Sequence, residues 1–269
     1  MGLEYSLQTP LNAIPKQRRI LVTGATGYIG SYFCKHAACA YDLVLMVRPG
    51  EDASTISGYG QVIEADLTNL ASLTEACAGV DTVVHLAADP SPGAEWESLM
   101  PNNIEGTYNI CVAARDAGCR RVVFASSVHA VSGYPDDVQI KPHDPINPGD
   151  LYGVSKCFGE ALGRYMSERE FLSFIAIRIG GVQAESTVPT TDEPGIKDSW
   201  VSERDIFQLI CRSIDVVGLK FAIFSGVSHN RFNRLDITTA RELVGYEPED
   251  DFGEETAEQT SHGMTVILT

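Results

Sequence analysis

The sequence predicts an α/β fold: a doubly wound parallel sheet with helices on both faces and a small C-terminal substrate-binding portion. Three observations carry this expectation. Short apolar runs alternate with helix-length periodic segments from about residue 19 onward. The runs are near-continuous in Val, Ile, Leu and Phe, as strands buried on both faces require. The first run opens directly into a glycine-rich turn, which fits the start of a strand–helix–strand unit.

The elements follow in order. Residues 19–23 (RILVT) form a first strand and residues 28–40 a helix, with strands expected at 43–47 (LVLMV) and 61–63. A connection and helix occupy 66–78, and a fourth strand 81–86 (DTVVHL). Helical periodicity spans 96–117, a fifth strand 121–125 (RVVFA), and a further helix 152–169. A sixth strand is expected over 171–178 (FLSFIAIR) and a helix over 203–216; 220–224 adds a strand and 236–244 a short helix. Two stretches rich in Pro, Asp and Gly, 132–150 and 183–199, resist assignment. Both follow strands, so they are candidates for the loops beyond the strand carboxyl ends, where ligands of such folds sit. The stretch from Glu247 is acidic and expected to be partly peripheral.

At 269 residues the chain has room for one α/β domain with a modest addition. The expected division is a leader over 1–17, a dinucleotide-binding core over 18–180, and a substrate-binding portion over 181–269 interleaved with the last strands. A formal net charge of −16 argues against nucleic acid and against an anionic membrane surface. No apolar run reaches the length of a transmembrane helix. Seven scattered cysteines without a C-x-x-C pair fit buried thiols in a reducing cytoplasm, not disulfides or metal ligands. No cluster has metal-ligand spacing.

The first strand runs into Thr23-Gly24-Ala25-Thr26-Gly27-Tyr28-Ile29-Gly30. In this Rossmann-type setting Gly24 allows the tight turn, Gly27 the approach of a pyrophosphate, and Gly30 close helix–strand packing. The helix N-terminus adds amide donors and a positive dipole end. The expected cofactor is therefore NAD or NADP. NAD binding usually places a carboxylate after the second strand, and this chain has Arg48 there. Arg48 tilts the expectation toward NADP or dual use, against the alternative of a plain solvated side chain.

Ser126 and Ser127 follow the fifth strand, and Tyr152-Gly153-Val154-Ser155-Lys156 opens the next helix. Tyr152 and Lys156 are spaced i,i+4 and share one helix face. A phenol with an ordinary pKa of about 10 is a weak base at neutral pH, and a neighbouring ammonium is expected to bring it down. Tyr152 is then the general base, Lys156 its activator, and Ser127 the residue that orients the substrate oxygen. A nicotinamide would take the hydride.

The combination TGATGYIG, Asp66-Leu67, His85-Leu86-Ala87-Ala88, Asn102-Asn103, Ser126-Ser127 and YGVSK resembles the extended short-chain dehydrogenase/reductase superfamily. The likeness runs from residue 19 to about 250, nearly the whole chain. It implies that Asp66 caps an adenine, with Leu67 beside it, that Leu86, Ala87 and Ala88 line the nicotinamide side, and that Asn103 supports the active-site helix. It also implies cofactor contacts from Thr26, Tyr28, Ile29 and Ile179, with Lys156 on the nicotinamide ribose. LYGVSKCFGE, VFASSVHA, the Arg178–Gly181 run, Trp200-Val201-Ser202 and GYEPEDD resemble uronate dehydrogenases. A similar pattern marks a short-chain type of glucose-6-phosphate dehydrogenase. Both relatives oxidise the C1 hydroxyl of a pyranose to a lactone, which implies a small sugar substrate. The superfamily commonly pairs subunits, so a homo-oligomer is expected.

Val128 replaces the uronate enzymes' Asn before His129, and 195–199 lacks their carboxylate-clamping Arg, leaving Lys197 or Lys141 as substitutes. Expected substrate contacts are Asp89, Ser91, Ser127, Val128, His129, Tyr152, Gly180 and Gly181, with a turn role the alternative for Asp89 and Ser91. His85 is expected to be structural, through a hydrogen bond to backbone. Two other functions fit the same fold: a nucleotide-sugar epimerase or reductase, and a cofactor-sensing regulator. The regulator reading suffers from the intact Tyr-x-x-x-Lys pair.

Overall fold

The computed structural model describes residues 17–183, 198–230 and 232–251. The leader over 1–16, most of the 183–199 loop with Lys197, and the tail beyond 251 lie outside the described residues.

Seven parallel strands form the central sheet: β1 (Arg19–Thr23), β2 (Asp42–Val47), β3 (Gln61–Glu64), β4 (Thr82–His85), β5 (Arg121–Ser127), β6 (Ser173–Ile179) and β9 (Phe221–Gly226). Their order is β3-β2-β1-β4-β5-β6-β9. The order reverses between β1 and β4, which opens the crevice that ligands of doubly wound sheets use. A second, two-stranded parallel sheet pairs β7 (Gly181–Gln183) with β8 (Trp200–Ser202). The helices are α1 (Tyr28–Ala37), α2 (Leu70–Ala76), α3 (Trp96–Leu99), α4 (Gly106–Asp116), α5 (Leu151–Arg169), α6 (Glu203–Asp215) and α7 (Thr238–Val244). Two buried apolar clusters, one on each face, account for the near-continuous apolar strands. Among the described residues no helix is long and apolar enough to cross a membrane.

Four elements depart from expectation. The helix expected over 96–117 is interrupted by a π-helical segment, Met100–Glu105. Pro101 lacks an amide to donate, and Gly106 N–H bonds back to the Pro101 carbonyl. The sixth strand starts at Ser173, because Phe171 takes a left-handed turn (φ 57°) that leaves its ring 89% exposed. The fifth strand runs on to Ser127, carrying that residue on rigid sheet. Of the stretch from Glu247, the described residues up to Asp251 are anchored: Glu249 N and Asp250 N donate to the buried Asp205 carboxylate.

The catalytic-helix candidate α5 lies unusually close to the sheet. A Cβ at Gly159 would sit 2.4 Å from the Phe124 ring, and one at Gly163 2.1 Å from Phe174. Helix and strand therefore meet at glycines, and any side chain there would push the helix off its seat.

His85 is structural, but its partners are side chains rather than backbone. Nδ1 lies 2.8 Å from the Thr23 hydroxyl and Nε2 3.4 Å from that of Thr107. Burial first, and the Lys156 charge second, push its pKa down to about 3. Below about pH 6.5 the unfolded chain takes up a proton that the native protein refuses, so stability falls with pH by about 1.4 kcal/mol per unit. Above that range this imidazole contributes no pH dependence. Denaturant titrations should give a steeper acid slope for the wild type than for His85→Gln; equal slopes would refute the linkage.

Candidate active site

The glycine turn is shaped by its neighbours. Gly24 adopts φ +67°, and a Cβ there would lie 2.8 Å from Ala87 N. Thr23 Oγ1 accepts from Ala87 N at 3.1 Å, so the turn and the segment after β4 are held together. A Cβ on Gly30 would lie 2.1 Å from the Gly24 carbonyl oxygen, the close packing expected of the third glycine. Gly27 caps α1 without a side-chain hydrogen bond and is exposed. The first-turn amides are thus presented outward, a geometry that fits a diphosphate. Ile29 and the cleft below it continue this surface.

The remaining cofactor candidates surround this turn. Thr26 donates to Glu51 Oε1 at 2.6 Å, and Arg48 N donates to Glu51 Oε2 at 3.0 Å. Glu51 was not singled out from sequence, since it lies beyond the position where a ribose-reading carboxylate is sought. The Arg48 side chain is 80% exposed, with Nε 3.5 Å from Glu51. Asp66 is exposed and accepts from the Thr68 amide and hydroxyl, which hold its carboxyl below the usual range. Leu67 packs under Gly106, and its carbonyl accepts from Asn109. Tyr28 turns its phenol toward Glu203; burial, then that carboxylate, push it up to about 12.

A cleft of about 600 Å³ opens beyond the carboxyl ends of β4, β5 and β6. Ser127, Tyr152 and Lys156 all line it, so three residues from one strand and one helix meet there as their spacing predicts. Leu86, Ala88, Val128, His129, Ile179, Gly180 and Gly181 line it too. Ala87 does not, being packed on Gly24. Asp89 and Ser91 are also absent from the lining: the Asp89 carboxylate accepts from Ser91 N and from Ser98 Oγ, which gives it the turn role. Asn103, carried on the π segment, donates to the Asp89 carbonyl at 3.1 Å and to Ser155 Oγ at 3.0 Å. It ties the segment after β4 to α5.

The expected pull of Lys156 on Tyr152 is not what the structure gives. Burial pushes the Tyr152 phenol above its ordinary value, the nearby Asp150 and Asp89 add to this, and the Ser127 hydroxyl offsets only part. Burial also pushes Lys156 down to about 8. Both groups sit at the helix–sheet junction, where each charged form loses its hydration. The Lys156 Nζ lies 5.4 Å from the Tyr152 ring centroid and 5.1 Å from that of Phe124.

Sequence reasoning missed three positioning groups. Asp150 caps α5 by accepting from Gly153 N at 2.6 Å, and its other oxygen meets His129 Nδ1 at 2.6 Å. An Asp directly before a helix was a readable signal. Glu160 accepts from Ser126 Oγ at 2.7 Å and from Arg178 Nε and Nη2, both at 2.9 Å. Its signal was the i,i+4 continuation of Tyr152 and Lys156. Arg234 also lines the cleft, and nothing local in the sequence marks it. Among the described residues no His, Cys, Asp and Glu cluster suits a metal.

A glycine turn at a helix N-terminus and a Ser–Tyr–Lys group on one cleft are now in place. Residues 20–197 match the NAD dependent epimerase/dehydratase family. The chain belongs to that family. It is 36% identical to the NAD-dependent glucose-6-phosphate dehydrogenase of Haloferax volcanii, over 89% of this chain and 96% of the relative. It is 34% identical to the L-arabinose 1-dehydrogenase (NAD(P)(+)) of the same organism, over 87% and 97%. The crystal structure of uronate dehydrogenase from Agrobacterium tumefaciens superposes with a TM-score of 0.76 at 31% identity, over 87% of this chain and 85% of that one. The doubly wound sheet of this family member is thus the architecture of that enzyme too.

The Glu160–Arg178 pair is 3% and 2% exposed. Breaking a buried pair leaves an uncompensated charge, at a cost of about 3–5 kcal/mol. Glu160→Gln is expected to lose stability on that scale in equilibrium denaturation; a change within ~0.5 kcal/mol would show that the pair is dispensable.

Proposed function

We infer that this family member is an NAD(P)-dependent dehydrogenase that oxidises the C1 hydroxyl of a pyranose sugar to a lactone. The observation that carries the reading is the convergence of Ser127, Tyr152 and Lys156 on one cleft, in a chain whose relatives bear the names of sugar dehydrogenases. Ser127 Oγ orients the C1 oxygen, and Tyr152 accepts its proton as the hydride leaves C1. The cofactor, when bound, supplies the hydride acceptor. Lys156 carries its ammonium below about pH 8, and its charge 5.4 Å from the Tyr152 ring centroid opposes the upward shift that burial gives the phenol, without reversing it. His129, held by Asp150 and edge-on to Tyr152 at 5.4 Å between ring centroids, fixes the orientation of the phenol.

The first-turn amides of α1 would hold the pyrophosphate, and Leu86, Ala88 and Ile179 would flank the nicotinamide. Arg48, exposed beside the second strand's end, suits a ribose 2′-phosphate, so NADP is the favoured partner in a chain able to use either form. From the portion after residue 180, Gly181, Val182, Ser199 and Arg234 supply the sugar side of the cleft. The subunit is expected to pair with a second copy.

Purified protein should raise the absorbance of reduced nicotinamide with at least one member of a panel of aldoses, uronates and sugar phosphates, with the higher kcat/KM for NADP. Tyr152→Phe should lose about 10²–10⁴-fold in turnover while retaining cofactor binding. A flat response across the panel, or undiminished turnover in the variant, would contradict the reading.

A further inference from the structure

The cleft is lined by Lys156, His129 and Arg234 and, among its described lining residues, by no Asp or Glu. This contrasts with a chain whose formal net charge is −16. Such a surface repels anions at long range, so a cation concentrated at one concave site marks the place where an anion is accepted. Lys156 sits beside the Tyr152 ring and belongs to the proton chemistry. Arg234 belongs to none of it. It arrives from the loop after β9 and has no part in the cofactor surface.

Its placement is built, not incidental. Arg234 N donates to the Asp198 carbonyl at 3.0 Å, and its own carbonyl accepts from Ile140 N at 2.7 Å. Ile140 pairs with Leu235 as a parallel bridge, and Gln139 Nε2 donates to the Asn233 carbonyl at 2.9 Å. These bonds join the loop after β9 to the irregular 132–150 segment and fix the arginine at the mouth of the cleft. The side chain is only 12% exposed.

The guanidinium is nevertheless under-used. Nη2 donates to the Tyr134 carbonyl at 2.5 Å. Nη1 lies 3.3 Å from Asp136 Oδ1, a carboxylate that is itself 83% exposed. Nε is buried and finds no acceptor among the described residues. A guanidinium offers five N–H donors, and these two contacts leave a buried one without a partner. Buried donors are rarely left so. A planar fork of this kind matches the oxygens of a carboxylate or a phosphate. Lys141, the substitute expected from sequence, is exposed and does not line the cleft.

Resting on the reading of a sugar dehydrogenase, we propose that Arg234 is a specificity-determining residue that binds an anionic group of the sugar, a carboxylate or a phosphate, in place of Asp136. The anion is seated by the fork while C1 is presented to Tyr152 and Ser127. Glucose, glucuronate and glucose 6-phosphate share one ring and differ at the far carbon, so they separate a neutral group, a carboxylate and a phosphate.

The test measures initial rates on this trio with wild type, Arg234→Gln, Arg234→Lys and Asp136→Asn, together with calorimetric binding of each sugar. The wild type should prefer one anionic sugar over glucose, which tells carboxylate from phosphate. Arg234→Gln should lower that preference, as a ratio of kcat/KM, by about tenfold to a hundredfold, carried mainly in KM. Arg234→Lys should recover part of it. Asp136→Asn removes only a competing, exposed carboxylate and should lower KM for the anionic sugar. An unchanged preference in Arg234→Gln, or a raised KM in Asp136→Asn, would make the arginine a plain loop tether and overturn the proposal while leaving the dehydrogenase reading intact. Binding of an anionic sugar that is lost in Arg234→Gln, without oxidation of any sugar, would uphold Arg234 and overturn the dehydrogenase reading instead.

Discussion

The site depends on one buried interaction, the carboxylate of Glu160 held between Ser126 on β5 and Arg178 on β6. Tyr152, Lys156 and Glu160 stand at successive i,i+4 positions of α5. Fixing Glu160 on two strands therefore fixes the rotation and register of the whole helix against the sheet. Ser127 is the next residue after Ser126, and Ile179 the next after Arg178. One ion pair thus sets the relation of the hydroxyl, the phenol and the ammonium to the cleft floor. Gly159 and Gly163 permit it by letting the helix descend onto Phe124 and Phe174.

The same descent explains the electrostatics. Lys156 is buried with no ion-paired carboxylate among the described residues, so its charge is costly and its pKa falls; Tyr152 is buried beside it and its pKa rises. Each group is least comfortable in its charged form, and each would be relieved by the other's charge. A neutral His85 beneath them adds no competing cation. The phenol therefore holds its proton more tightly than usual while the ammonium holds its own more loosely, and a positive charge beside the ring favours proton transfer at Tyr152.

Much of this was legible in the sequence because it is local. The glycine turn, the Tyr-x-x-x-Lys spacing and the near-continuous apolar strands each follow from short-range rules. The π segment was less legible, since Pro101 and the tie from Asn103 to Ser155 act across two helices. Phe171 looked like a strand residue by its type, yet the chain needed it for a left-handed turn. Arg234 reaches the cleft only because Ile140 and Leu235 pair across some ninety residues, and no window of sequence contains that pairing. The upward shift of Tyr152 runs against the expected lowering for a related reason. Spacing gives proximity, whereas the shift was decided by burial.

The most direct test follows the hydride itself. A sugar carrying deuterium at C1 is incubated with the protein and oxidised cofactor, and the reduced cofactor is analysed by mass spectrometry. The account predicts one deuterium on the nicotinamide for each lactone formed. Label retained in the sugar, with its configuration changed and no reduced cofactor accumulating, would contradict it.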